Sequence, residues 1–374
     1  MRRCVLHFGL HKTGSSSIQR FLRHDLRDRR FFYPASSDQP DLKDNCHNRP
    51  LCCAFRDAPE KYHSHAKEGV ELAELRARGE WFKNEMGGGD ASPEAETLVL
   101  SAEELSNYEP QELARLVDFL HGRNLVVDAA GYARKYKTLQ ESRFQQAVRA
   151  PGRFGSAYPP ENRRYALFPY RQKLEKFSEL LGPSTVRIAS FESAILSCGG
   201  VLGDFCHHVG IKQEITMSHR ANEGLSLDAV RLIYAFRKFH LAPSVGKDAM
   251  AADVRLVAKM SELKGDRLVF HSSFFLRSER NWRADVDWIS ERIGEDMLGD
   301  LYADDEKDCV RSEADLLRFS KASLDWLARE SGVSVRSLQD GNPKAVAQAV
   351  ARLRNLVTSR KPAGFWEWLT GCSA

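Results

Sequence analysis

The chain has 374 residues, 42% of them hydrophobic, which is enough to bury a sizeable core in one large α/β unit with additions. A net charge of +4 is too mild to point to nucleic acid and suits a local basic pocket for a small anion. No run reaches the roughly eighteen apolar residues of a membrane span, and no apolar leader follows Arg2 and Arg3. The eight cysteines lack framework spacing and read as reduced thiols, so a cytoplasmic protein is expected.

In chain order, Val5, Leu6 and Phe8 predict a buried strand that ends at Gly9. Lys12, Thr13, Gly14, Ser15, Ser16 and Ser17 then lead into Ile18, Phe21 and Leu22 at helical spacing. A strand, a tight loop and a hydroxyl-rich helix start form an anion site, because the first helical N–H groups lack intrahelical partners and carry the positive end of the macrodipole. Lys12 adds a full charge there. The order G-x-x-K-T-G-S-S differs from a Walker A loop, in which the lysine follows the second glycine.

Phe31 to Tyr33 reads as a short strand stopped by Pro34. Residues 35–66 read as irregular and polar, an insertion that serves either as an acceptor-side lid or merely as a solvated loop. Within it Cys46, His47, Cys52, Cys53, His63 and His65 cluster, but their spacing matches no zinc pattern, and they read as loop and core residues. Residues 67–86 turn helical. Thr97 to Ser101 is a second buried strand, running into Glu103 and Glu104. Either acid sits where ligands bind in an open α/β sheet, and either can equally cap the helix that follows.

A helix is expected over 109–121. The next strand, from Leu125, ends on Arg134, and Ser142 lies eight positions further on in the following helix, a separation over which a guanidinium and a hydroxyl can share one phosphate. Residues 150–166 form a loop rich in Pro, Gly and Arg, followed by an amphipathic helix from Tyr170 to Leu181 and a strand over 185–190. Glu192 and Asp204 read as structural, and Ser226 as a helix cap. Beyond about residue 245 the chain is mostly helical. Trp282, Val286, Ile289, Leu316, Val346, Val350, Leu353 and Leu356 are expected in the core. The fold class expected is α/β, a parallel sheet flanked by helices.

Two stretches carry a family likeness. The segment from Leu10 to Gln19 resembles the 5′-phosphosulfate loop of sulfotransferases that use 3′-phosphoadenosine 5′-phosphosulfate (PAPS), above all the bacterial form LHKTGTTSIQ. The surroundings of Arg134 and Ser142 are similar to the same family's 3′-phosphate site. The likeness covers residues 4 to about 226. It implies the P-loop-like sulfotransferase fold, with a PAPS-binding core over 1–245 and a helical extension over 246–374 packed on it. Cofactor contacts are then expected from His11, Lys12, Thr13, Gly14, Ser15, Ser16, Ser17, Arg134, Ser142 and, by a weaker likeness, Arg220. Lys12 would stabilise the leaving phosphate and Glu103 would act as general base, although Ala102 departs from the family's usual serine. Glu104, His7 and His11 are rival bases. The product is adenosine 3′,5′-bisphosphate (PAP), and no metal is required. The acceptor is an unidentified small molecule, lipid or carbohydrate. An ATP-dependent phosphotransferase and a non-catalytic nucleotide-binding protein are the alternatives.

Overall fold

The computed structural model describes residues 1–10, 12–35, 45–88, 91–150, 169–197, 199–215, 224–240, 247–276, 279–303 and 308–359. Five strands form one parallel sheet: β1 (Arg3–Phe8), β2 (Phe31–Phe32), β3 (Thr97–Ala102), β4 (Val126–Ala133) and β5 (Val186–Ser190). Their order is β2-β3-β1-β4-β5. The central strand β1 therefore pairs with β3 on one side, Leu6 opposite Leu100, and with β4 on the other, Leu6 opposite Ala129. From its carboxyl end β1 leads toward the β2 edge, whereas its neighbour β4 leads toward the β5 edge, so the carboxyl ends of β1 and β4 flank a topological switch point, where open α/β sheets take their ligands.

The apolar runs of β1 and β3 are continuous because both faces of the sheet are covered. Cys4, Leu6 and Phe8 face one layer together with Leu98 and Leu100. Val5, Val99 and Tyr132 face the other, against Ile18, Phe21 and Leu22 of the first helical segment and Phe205 and Val209 further on. The strand period of two thus sorts alternate residues into two cores.

The helices that position the site are α1 (Ser15–Arg20), α2 (Asn48–Phe55), α3 (Leu72–Glu85), α4 (Pro110–His121), α5 (Tyr136–Arg149), α6 (Tyr170–Leu181), α7 (Phe191–Leu196) and α8 (Gly200–Val209). A π-helical turn over Phe21–Asp25 extends α1. The α4 start is fixed by a capping box between Glu109 and Glu112, with Pro110 at the first helical position.

Residues 35–66 are not an irregular polar insertion where they are described. Asn48–Phe55 is a helix, Pro59–Lys61 a 3₁₀ turn and His63–Glu68 another short helix. Leu51, Cys52, Cys53 and Phe55 are buried, and α2 packs on α3, where Gly79 lets the backbone of Cys53 approach: a Cβ on Gly79 would lie 2.5 Å from the Cys53 carbonyl oxygen. The cysteines act as small apolar residues here, and counting them as polar hides the stripe. The 67–86 helix is likewise interrupted: Gly69, with φ 63, ends the short helix, and α3 begins at Leu72.

The C-terminal part is built on α9 (Leu227–Phe239), α10 (Lys247–Met260), α11 (Glu279–Ile293), α12 (Lys321–Ser331) and α13 (Pro343–Ser359). Ser226 caps α9, its hydroxyl accepting from Ala229 N–H at 3.2 Å. Helix α9 is buried along almost its whole length and packs against α13 and α5. Trp282, Val286, Ile289, Leu316, Val346, Val350 and Leu353 are buried as expected, but Leu356 is 40% exposed and lies outside the stripe. The side chains of these helices belong to the same apolar cluster as those of β1, β3 and β4. No described helix is long and apolar enough to cross a membrane.

Candidate active site

The turn after β1 is built from unusual backbone. Lys12 has φ 68 and Gly14 φ 81, both in the left-handed region. For a lysine that conformation costs about 1–2 kcal/mol, so the surroundings must hold it. The Thr13 hydroxyl is buried and donates to the Leu10 carbonyl at 2.6 Å, which closes the turn from inside. Gly14 is the N-cap of α1, and its carbonyl accepts from Ser17 N–H at 3.0 Å and Ile18 N–H at 3.3 Å. From outside the loop, Arg134 Nη1 donates to the Lys12 carbonyl at 3.1 Å.

Ser15 opens α1 and is buried, and its hydroxyl has no hydrogen-bond partner among the described residues. An unsatisfied buried hydroxyl costs about 1–3 kcal/mol. Set at a helix start beside Lys12, it is a donor suited to an oxyanion. Ser16 is exposed and Ser17 half-buried. His11 and Arg220 lie outside the described residues, as does 151–166 of the Arg-rich loop.

Gly9 links this turn to the end of β3. A Cβ at Gly9 would sit 2.2 Å from Ser15 Oγ and 2.9 Å from Glu103 Cγ, so the bare backbone lets both side chains close over the start of the loop. Glu103 thereby stands next to the turn. Its neighbour Glu104 points into a different network: its Oε2 accepts from Asn107 Nδ2 at 3.2 Å and lies 3.8 Å from Arg56 Nη1, and its N–H donates to Asn48 Oδ1 at 3.0 Å. The two acids, equivalent in sequence, are separated by packing.

His7 is a poor base in this setting. It is fully buried beneath the sheet end, its ring against Phe205 and its Nδ1 2.7 Å from Ser101 Oγ. Burial holds its pKa down to about 4, although the Glu103 charge pulls the other way.

At the end of β4 the Arg134 side chain lies between three groups: the Lys12 carbonyl, the Phe191 ring (4.9 Å from guanidinium carbon to centroid) and Glu192 (Nε to Oε1, 3.6 Å). Burial lowers its pKa, and Glu192 acts against that shift. Glu192 also accepts from Lys135 N–H and from the Thr138 hydroxyl, each at 3.0 Å. The buried Tyr170 hydroxyl donates to the Arg134 carbonyl, which fixes the backbone on the other side. Ser142 is half-buried on α5, one helical turn beyond Thr138 on the same face. No hydrogen bond joins it to Arg134 among the described residues.

Phe191 and Glu192 extend the sequence expectation, in which Glu192 was structural. They follow the carboxyl end of β5 directly, the same position that Arg134 holds after β4 and Glu103 after β3, and that shared position was the available signal. Asp204 does serve structure: it pairs with Arg187 at 2.7 Å and accepts from the Tyr132 hydroxyl at 2.6 Å. In the 46–65 cluster, His47 and His65 bond the backbone carbonyls of Pro34 and Pro59, and Cys53 Sγ lies 3.7 Å from His65 Nε2. Among the described residues no three His, Cys, Asp or Glu side chains are grouped to hold a metal ion.

No protein-family model matches the chain. No curated protein matches it either. A solved structure of a sulfotransferase from Alicyclobacillus acidocaldarius is similar at 15% identity and a TM-score of 0.38, over 71% of this chain and 98% of that one.

Proposed function

We propose that this chain is a PAPS-dependent sulfotransferase that moves the sulfuryl group to a hydroxyl or amine of a small-molecule, lipid or carbohydrate acceptor. The observation that supports the reading is that the two groups expected to bind anions, 122 residues apart, meet at the switch point of the sheet, with Arg134 Nη1 on the Lys12 carbonyl. The orphaned Ser15 hydroxyl and the placement of Glu103 across Gly9 support it.

In this reading the 5′-phosphosulfate lies on residues 12–17 and the 3′-phosphate on Arg134 and Ser142. The acceptor oxygen or nitrogen attacks sulfur in line as the bond from sulfur to the bridging oxygen breaks. The electron pair stays on the 5′-phosphate of PAP, where Lys12 neutralises it, and the acceptor proton passes to Glu103. Residues 1–245 carry the nucleotide and 246–374 brace it.

The direct test is isothermal calorimetry with PAP and with ATP plus magnesium, followed by ³⁵S-labelled PAPS incubated with cell extract. PAP binding in the micromolar range and a labelled product are expected. Binding and turnover of ATP without any affinity for PAP would replace this reading with phosphoryl transfer.

A further inference from the structure

Arg134 connects two places that a nucleotide-binding role alone leaves separate. One Nη group is committed to the carbonyl of a left-handed lysine, while the guanidinium as a whole rests on Phe191 and beside Glu192. Glu192 in turn holds the Lys135 N–H and the Thr138 hydroxyl, so the exit of β5 fixes the junction between β4 and α5 from which Arg134 projects. A guanidinium has five N–H donors in a rigid fork. One bond to Lys12 leaves other donors of the fork for an oxyanion, while Nε faces Glu192 Oε1 at 3.6 Å.

We infer that Arg134 is a positioning residue for the Lys12 turn as well as the holder of a second anion, so that the two anion subsites are coupled through a single side chain. A ligand that fills only the turn after β1 then still depends on Arg134. The coupling follows from the geometry: the bond to the Lys12 carbonyl stabilises the left-handed residue that shapes the turn, and its removal lets the turn relax before any ligand arrives. Glu192 sets the guanidinium in place, which makes it a positioning residue at one further remove.

The inference rests on the sulfotransferase reading for the two anion subsites and the nucleotide probes, whereas its first arm, on the hold of Arg134 over the Lys12 turn, needs no ligand. Amide hydrogen exchange of the ligand-free chain is compared among wild type, Arg134→Ala and Arg134→Lys. The lysine variant keeps the charge but loses the fork, and it stands in if the alanine variant does not fold. Both variants should exchange about tenfold faster at Ser17 and Ile18, the amides bonded to the Gly14 carbonyl, with the amides of β1 unchanged, since a charge-assisted hydrogen bond is lost locally. In the second arm, adenosine 5′-phosphosulfate, which lacks the 3′-phosphate, should bind both variants at least about fivefold more weakly than wild type. Unchanged exchange at Ser17 and Ile18 together with unchanged adenosine 5′-phosphosulfate affinity, while PAP affinity alone falls, would overturn the coupling and leave Arg134 to the 3′-phosphate only. Faster exchange throughout β1 as well would mark plain destabilisation and also overturn it. If wild type binds neither nucleotide, the sulfotransferase reading falls, and the exchange arm still decides whether Arg134 positions the Lys12 turn.

Discussion

The turn after β1 and the layer formed by α2 and α3 are both close neighbours of the sheet, yet different forces hold them. The turn is shaped by directional bonds to a strained backbone: Thr13 to Leu10, Arg134 to Lys12, and Gly9 pressed between Ser15 and Glu103. The α2–α3 layer is shaped by area, with Leu51, Cys52, Cys53, Leu75, Phe82 and Met86 almost fully removed from water. A site held by a few bonds is expected to lose function abruptly when one atom changes, with little loss of stability. A layer held by burial is expected to behave in the opposite way.

The sharpest way to break that contrast is Lys12→Ala. It should lower kcat for sulfuryl transfer by about 10³-fold, the scale of losing a charge-stabilising group in a water-poor site, while the melting temperature stays within a degree or two. Retained turnover would remove Lys12 from the chemistry. Next comes the acid pair. Glu103→Gln should lower kcat by about 10²-fold or more, as for the loss of a general base. Glu104→Gln should leave kcat near wild type and instead weaken the Arg56 and Asn107 contacts. Equal kinetic losses in the two variants would erase the distinction that packing draws between them.

On the other side, Leu51→Ala should destabilise the chain by about 2–5 kcal/mol through lost burial and the cavity left behind. Urea unfolding would measure it, and the turnover of the remaining folded protein should be unchanged. A kinetic defect at full stability would show that the α2 layer reaches into the site.

The same contrast explains what was legible in the sequence. The turn after β1, Glu103 and Arg134 stood out because each follows a compact apolar strand, and strand ends in a parallel sheet converge by topology. Strands β1 and β3 were readable because both their faces are buried. The helix Asn48–Phe55 was hidden because its buried face mixes cysteines with a proline, among flanking charges. Glu192 was visible as a residue but not as a neighbour of Arg134, because the pairing depends on the register of β4 against β5, where Ala133 lies opposite Ser190. The separation of Glu103 from Glu104 follows from the 3₁₀ turn over Glu103–Asn107, which no periodicity announces.

The smallest expected effect concerns His47, where the two regions meet. It is 1% exposed, and it is locked by its own proton placement. Nδ1 accepts from Ser101 N–H at 3.1 Å, and Nε2 lies 2.7 Å from the Pro34 carbonyl, to which it must donate. The ring is therefore neutral, with its hydrogen on Nε2, and protonating Nδ1 would break the bond to β3 two residues before Glu103. Burial accordingly holds its pKa down to about 4, against an ordinary 6.5. Between those values the unfolded chain binds a proton that the folded chain refuses, so stability falls as pH drops from about 6.5 to about 4 and this contribution levels off below. At roughly 1.4 kcal/mol per unit the change is at most about 3 kcal/mol for this ring. Buried His7 adds to the slope over the same range. Urea midpoints measured from pH 7.5 down to 4.5 should fall steadily in wild type. His47→Gln, which keeps a donor and an acceptor without titrating, should flatten part of that fall, and an unchanged slope would mean that the ring is not the group being protonated.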